Sequence, residues 1–166
     1  NRAVRLKADY TFDLQITGLT GGCNGIAVNK ATGDIYIAHG SSIRVYDNLL
    51  ALRVSNIAGG EIYRHIAWRN DRLYATSDEH VVTVYRNLGN YVYVAPHPSQ
   101  GTEWGTRTVP SATDGQFNDP VGICTSATEV FVVDRGNSRV QVFSLTGTFL
   151  RKFTIPANNR GCALDS

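Results

Sequence analysis

A short segment of small and apolar residues recurs four times along this chain of 166 residues. The copies read GIAVN from Gly25, HIAWR from His65, GICTS from Gly122 and GCALD from Gly161, so successive copies lie 40, 57 and 39 residues apart. Repeats of about 20 to 50 residues are typical of solenoids and propellers, in which each supersecondary unit packs on the next. The longer middle spacing indicates an insertion, which we place between Ala95 and Asp119, where Pro, Gly, Ser and Thr are frequent.

The residues between the copies alternate with period two, which predicts strands joined by turns rather than helices. Each unit has four such stretches, and a four-stranded meander buries both of its faces only when further sheets stack on it. We therefore predict an all-β fold, a β-propeller of four-stranded antiparallel blades with about three full blades and partial blades at both ends. The predicted units are the last two strands of a preceding blade at 1–17, blades at 23–58, 62–95 and 120–156, an inserted loop at 96–119, and the first strand of a further blade at 160–166.

Two classes of residue in these units are predicted to form the core. Small residues on the first strands are expected at the crowded central axis; they are Gly25, Ala27, Gly122, Gly161 and Ala163. Aromatic residues on the second and third strands are expected to fill the space between neighbouring sheets; they are Tyr36, Tyr46, Tyr74, Tyr85, Phe131 and Phe143.

The clearest repeat runs from Gly115 to Phe143 and contains GQFNDPVGIC followed by VFVVDRGNSRVQVF. It resembles an NHL repeat in close to its full form, and the first unit is similar to it at 24–28 and 34–38. The resemblance implies a β-propeller and says almost nothing about function. We interpret the turn Asp134–Arg139 as structural, with Gly136 at a positive φ and the stem of Arg139 packed across the neighbouring sheet.

The two ends of the chain look like parts of incomplete units. Residues 1–7 and 10–16 match third and fourth strands, and residues 161–165 match a first strand. The chain does not begin with Met, which favours a piece of a longer propeller. Two other arrangements fit as well: a small ring in which the N-terminal strands complete the blade that Gly161 begins, and assembly of several copies by strand addition into a ring or filament.

Three cysteines are present, at Cys23, Cys124 and Cys162. In the repeat alignment Cys124 matches Ala27 and Cys162 matches Ile26, so the two point to opposite faces of their own strands and can face each other across adjacent blades. A disulfide is therefore possible, and buried free thiols are an equally good interpretation. The odd count and the absence of a Cys-x-x-Cys motif argue against a zinc site. The resemblance to the NHL repeat family and the low Lys content together favour an extracellular location.

The four histidines, His39, His65, His80 and His97, do not share a spacing typical of metal ligands. His65 begins a first strand near the central channel, and His39 and His80 are expected in turns between second and third strands. We predict hydrogen-bonded or solvated histidines, no metal site and no cofactor. Related peptide-amidating lyases bind zinc through channel-facing histidines, so a metal-dependent lyase-type enzyme is the alternative. No catalytic motif is present, and no catalytic residue is predicted.

Arginine dominates the basic residues, with 13 Arg against 3 Lys. Arg64 and Arg160 precede first strands at matching positions, where the other units have Asn24 and Val121, and this predicts a partly basic ring on one face. Certain NHL propellers bind single-stranded RNA on such a face. A net charge of only +2 makes RNA the weaker prediction.

We predict a non-enzymatic binding or assembly module that contacts protein or glycan partners through one face and through the inserted segment. Self-association through the terminal strands is part of the same prediction. No apolar run reaches the roughly 20 residues that a membrane-spanning helix needs. The predicted contact residues are Asn24, Arg64, His65, Arg160, Trp104 and Tyr93.

Overall fold

The computed structural model describes residues 1–19, 21–57, 61–87, 93–94 and 103–164. Fifteen β-strands and one short 3₁₀ turn, Arg135–Asn137, make up the regular structure of these ranges. The strands are β1 Ala3–Leu6, β2 Phe12–Ile16, β3 Cys23–Val28, β4 Ile35–His39, β5 Ser42–Tyr46, β6 Leu52–Val54, β7 Tyr63–Arg69, β8 Arg72–Ser77, β9 Val82–Asn87, β10 Tyr93–Val94, β11 Glu103–Trp104, β12 Pro120–Thr125, β13 Glu129–Asp134, β14 Arg139–Ser144 and β15 Phe149–Thr154.

The strands form four antiparallel sheets in which strands consecutive in sequence pair with each other, except that β11 pairs with β9. Strands β1 and β2 make a hairpin, whereas β3–β6, β7–β10 and β12–β15 are meanders of four strands. The first strands of the three meanders, β3, β7 and β12, pack side by side. The prediction of an all-β propeller with three blades and a partial blade at the N-terminal end is confirmed.

The outer strand of the second blade is interrupted. Strand β10 pairs with β9 through Val94 opposite Arg86, and β11 rejoins the same edge through Glu103 opposite Thr83. The predicted loop at 96–119 is therefore wrong in part, because Glu103 and Trp104 belong to the sheet. Period-two alternation does not reveal a strand of two residues, since it offers too few positions to establish a pattern.

Two apolar layers join the three blades. The first lies between blades one and two and contains Tyr36, Ile43, Tyr63, Ile66, Leu73 and Tyr85. The second lies between blades two and three and contains Tyr74, Val82, Trp104, Phe117, Ile123, Val130 and Phe143. Of the predicted core aromatics, Tyr36, Tyr46, Tyr74, Tyr85 and Phe143 are buried. Phe131 is half-buried on the outer face of blade three.

Glycine allows the first strands to approach each other closely. A Cβ atom on Gly25 would lie 2.9 Å from the backbone nitrogen of Ile66, and one on Gly122 would lie 2.8 Å from the carbonyl oxygen of Arg160. Real Cβ atoms do not come this near to backbone. Of the small residues predicted at the axis, Gly25 and Gly122 are thus required there.

A buried carboxylate organises blade three. Asp134 is fully buried and accepts hydrogen bonds from the backbone nitrogen of Asn118 at 2.7 Å, from Nδ2 of Asn137 at 2.9 Å and from Nε of Arg139 at 2.7 Å. The Arg139 guanidinium also donates to the carbonyl oxygens of Ala112, Thr113 and Gln116. The pair therefore fastens the segment before β12 to the blade.

Two predictions for this turn are wrong. Gly136 does not have a positive φ; Ser138 takes the left-handed conformation instead, with φ 49°. Gly136 is needed because its Cβ would lie 2.6 Å from the carbonyl oxygen of Asn118. Arg139 does not pack across a neighbouring sheet, because the carbonyl groups of 112–116 satisfy its guanidinium within its own blade.

The predicted first strand at 160–166 is also absent from the described residues, since 161–164 have no strand conformation and 165–166 lie outside the description. At the other end the hairpin packs on blade one through Ile16 and Leu19, yet Val4, Ile26 and Val28 remain 42%, 55% and 47% exposed.

Replacement of Asp134 by Ala is expected to lower the free energy of unfolding by about 3–5 kcal/mol, because the Arg139 charge stays buried without its carboxylate. The exposed Asp114 also pairs with Arg139, at 3.3 Å, and Asp114→Ala is the matched control, with an expected loss below about 1 kcal/mol. Urea denaturation followed by circular dichroism measures both values. Equal losses in the two variants would contradict a special role for the buried carboxylate.

Candidate axial binding site

A polar pocket of about 310 Å³ lies at the axial end where the three first strands begin. We name it the basic axial pocket. It is lined by Cys23, Asn24, Arg64, His65, Val121, Arg135 and Arg160. The repeat explains its composition, because positions at the start of equivalent strands converge on one end of a propeller axis.

Four predicted contact residues meet in this pocket. Asn24, Arg64 and His65 come from β3 and β7, and Arg160 comes from the segment after β15. Arg135, predicted from the sequence only as part of a structural turn, lines the same pocket. Its position directly after β13, beside the start of β12, is the signal that could have identified it.

The pocket contains three guanidinium groups, and a carboxylate of the chain neutralises one of them. Nε and Nη2 of Arg135 both donate to Oδ2 of Asp119. Arg64 and Arg160 are exposed, and neither has a carboxylate oxygen within 4.0 Å among the residues of the described ranges. An excess of positive charge without a competing acid on its lining favours anionic groups.

His65 is held in place at the floor of the pocket. Its ring Nδ1 lies 3.2 Å from the carbonyl oxygen of Ile123, so this nitrogen carries the hydrogen, and its backbone nitrogen donates to Oγ1 of Thr76. Burial lowers the pKa of His65 below its ordinary value, against a smaller raising effect of the hydrogen bond to Ile123. The imidazole is therefore neutral near pH 7 and acts as a hydrogen-bonding group rather than as a fourth cation.

Asn24 joins blade one to blade two beside the pocket. Its Nδ2 donates to the carbonyl oxygen of Tyr63 at 2.9 Å. The hydroxyl of Thr76 makes the matching link from blade two to blade three, 3.2 Å from the carbonyl oxygen of Val121. These two links fix the three strand starts relative to one another.

Of the two aromatic residues predicted for recognition, Trp104 does not contribute to this pocket. Trp104 is buried and packs on Phe143 with ring centroids 5.0 Å apart, so its side chain belongs to the core between blades two and three. The prediction assumes that an aromatic residue in an inserted loop is exposed. Trp104 instead lies in β11, which pairs with β9. Tyr93 contributes its backbone to β10, and its side chain lies outside the described part of the chain.

A disulfide joins Cys124 on β12 to Cys162, with Cα atoms 5.6 Å apart. This pairing agrees with the sequence-based possibility, although Cys162 lies in a segment without strand conformation, and Cys23 is an exposed free thiol. No backbone hydrogen bond ties residues 156–164 to the rest of the described chain. The disulfide is thus the covalent anchor that keeps Arg160, two residues away, beside the pocket. An extracellular location stays a prediction.

The remaining histidines have separate environments. His39 is the last residue of β4 and is buried, so its predicted place in a turn is wrong by one residue. His80 lies in a turn, as expected, and its Nδ1 accepts from the backbone nitrogen of Asp119 at 2.9 Å. His97 lies outside the described residues. Within the described ranges, no three His, Cys, Asp or Glu side chains are grouped to hold a metal ion, and no helix has the length and apolar character to cross a membrane.

Comparison with known proteins identifies the fold. A sequence model of the NHL repeat matches residues 117–143, which confirms the resemblance. The chain is similar to the β-propeller domain of Cps50 (Swd1) from Myceliophteria thermophila, with a TM-score of 0.72 at 12% identity over 98% of this chain and 52% of that one. None of the curated protein sequences compared with the chain matches it.

Two further solved structures are similar. The computationally designed protein Ika4 has a TM-score of 0.61 at 13% identity, over 90% of this chain and 83% of that one. An auxiliary nutrient binding protein from Bacteroides ovatus ATCC 8483 has a TM-score of 0.61 at 18% identity, over 78% of this chain and 35% of that one. The chain thus spans about a third to a half of the two natural proteins. Likeness at these identities shows the propeller fold alone.

Reduction of the Cys124–Cys162 disulfide, or the Cys124→Ser variant, is expected to release residues 156–164 while the blades stay folded. Trypsin cleavage after Arg160 should accelerate by at least about tenfold, since no backbone hydrogen bonds hold the segment once the anchor is lost. Mass spectrometry of the digest over time measures this, and Cys23→Ser is the matched control. An unchanged cleavage rate after reduction would show that packing alone holds the segment.

Proposed function

We propose that this propeller is a non-enzymatic binding module whose basic axial pocket holds an acidic segment of a partner protein. The observation that carries the proposal is the convergence of Arg64, Arg135 and Arg160 on one pocket in which Asp119 neutralises only Arg135. Guanidinium groups bind carboxylates through two parallel hydrogen bonds, which gives both affinity and orientation.

The lining favours a peptide over the other predicted partners at this position. A bound sugar ring is usually recognised by an exposed aromatic face, and single-stranded RNA by aromatic stacking along a basic groove. The described lining of the basic axial pocket has no Trp, Tyr or Phe side chain. Its volume of about 310 Å³ suits one or two acidic side chains, with Asn24 and His65 available for hydrogen bonds to a peptide backbone.

The double variant Arg64→Gln/Arg160→Gln is expected to weaken binding of a hexaglutamate peptide by at least about tenfold, because two charge-assisted contacts are removed. Isothermal titration calorimetry at low and moderate salt measures the change. Arg151→Gln is the matched control, since Arg151 is exposed and pairs with Glu129 on blade three, away from the pocket.

Three outcomes of this titration decide the proposal. Retained affinity in the double variant would refute the pocket as the binding site. Equal weakening by Arg151→Gln would show that the affinity depends on the net charge of the chain and not on the pocket. Tighter binding of an oligouridylate than of the peptide, with loss in the double variant, would assign the face to RNA instead.

A second candidate function is self-association, favoured by the apolar surface of the hairpin and blade one. A pocket of about 310 Å³ is lined there mainly by aliphatic side chains, including Val4, Ile26 and Val28. Water-exposed aliphatic patches on sheet faces mark contact surfaces. We propose that a second copy of the chain covers this face.

The Ile26→Lys variant is expected to shift the chain from dimer or larger assembly toward monomer, because a charge would be buried at the contact. Sedimentation velocity across a hundredfold concentration range measures the assembly state. The exposed Leu150 lies on β15, away from this face, and Leu150→Lys is the matched control. A native chain that is monomeric throughout the range would refute self-association.

A further inference from the structure

A second polar pocket lies at the opposite end of the axis, where the first strands end. We name it the opposite axial pocket. Its volume is about 350 Å³, and Asn29, Lys30, Trp68, Arg69, Asn70 and Thr125 contribute to its lining. These residues follow or end β3, β7 and β12, so the same convergence of strands that forms the basic axial pocket forms this one.

The charge of the opposite axial pocket is positive. Lys30 and Arg69 line it, and neither forms an ion pair with a carboxylate of the described residues. Nε of Arg69 is buried and has no hydrogen-bond partner in the described chain. Asp71, the nearest acid in sequence, is engaged by Arg72 and Arg86. The lining therefore has unmatched donors and a net positive charge, which favours an anionic group.

Trp68 gives this pocket a fixed aromatic surface. Its indole is half-buried and stacks on Tyr36 with ring centroids 4.7 Å apart and planes inclined by 12°. Oγ1 of Thr125 lies 3.4 Å from the Trp68 carbonyl oxygen, which ties the end of β12 to the end of β7. Because these neighbours already hold the indole in place, binding of a ligand to its exposed part costs the protein little side-chain conformational entropy.

Two carboxamides add both hydrogen-bond donors and acceptors. The Asn29 side-chain oxygen accepts from the backbone nitrogen of Ala31 at 3.1 Å, which leaves its NH₂ group available. Asn70 lies in the two-residue turn between β7 and β8 with φ 56°, and its side chain completes the rim. A ligand that both donates and accepts, as vicinal hydroxyl groups do, matches this set better than a carboxylate alone.

We propose that the opposite axial pocket binds an acidic saccharide, a sulfated or uronate-bearing sugar of one or two rings. The sulfate or carboxylate pairs with Arg69 and Lys30, the ring packs on the exposed part of Trp68, and the hydroxyl groups bond to Asn29 and Asn70. The volume lies at the lower end of the range of about 300–1,000 Å³ for ligand pockets, which limits the ligand to this size. The site is independent of the basic axial pocket and of its proposed peptide.

The test uses the fluorescence of the two tryptophans, Trp68 and Trp104, of which Trp104 is enclosed in the core. A sulfated heparin-derived disaccharide is expected to change the emission saturably, and the Trp68→Phe variant should lose that change. Arg69→Gln should weaken binding by at least about tenfold, and Lys30→Gln, at an exposed position, by several-fold. Arg86→Gln is the matched control, and Arg160→Gln should leave the affinity unchanged.

The same titration contains the results that would overturn the proposal. These are no binding of the sulfated disaccharide, equal affinity of a neutral disaccharide that has neither sulfate nor carboxylate, affinity unchanged by both Arg69→Gln and Lys30→Gln, or binding of sulfate ion as tight as that of the disaccharide. Tighter binding of AMP than of the disaccharide would assign the pocket to a nucleotide. Loss of affinity in Arg160→Gln would place the ligand at the basic axial pocket.

Discussion

The close approach of the first strands at the axis is the constraint on which the remaining structure depends. Gly25 and Gly122 have no Cβ, so that β3 lies against β7, and β12 against the chain around Arg160, without backbone overlap. When the inner strands are this near, the outer parts of the sheets splay apart and leave wedges that aromatic side chains fill. The same convergence brings equivalent positions of each repeat together at both ends of the axis. Packing and candidate binding sites therefore have one geometric cause.

Much of this arrangement could be predicted from the sequence because it follows from periodicity. Period-two alternation predicts the long strands, and the spacing of the repeats predicts that Asn24, Arg64, His65 and Arg160 lie at one end of the axis, where one pocket contains them. The alignment of Cys124 with Ala27 also indicated which face each cysteine occupies. Such inferences succeed because they use only the register of a residue within a repeated unit.

The incorrect predictions concern contacts that a repeat does not encode. Arg139 binds carbonyl groups of a segment about 25 residues earlier, and no local pattern marks that partner. Gly136 is required by the nearness of Asn118 rather than by its own φ, a distinction that a turn motif cannot make. An inserted segment is usually a polar loop, which predicts an exposed Trp104. Glu103 and Trp104 instead pair with β9 at the edge of the sheet. In each case tertiary packing outweighed the local signal.

The interrupted outer strand has a consequence for engineering and divergence. Val94 pairs with Arg86 and Glu103 with Thr83, so the outer chain between these two pairings has more residues than the facing part of β9, and its length can change while both paired ends keep their register. The entropic cost of closing a loop rises only slowly with its length, so longer or shorter segments are accommodated at a small cost in free energy. The rim of blade two is therefore a natural position for grafting a foreign peptide, and it offers related chains a route to new specificities that leaves the axis untouched.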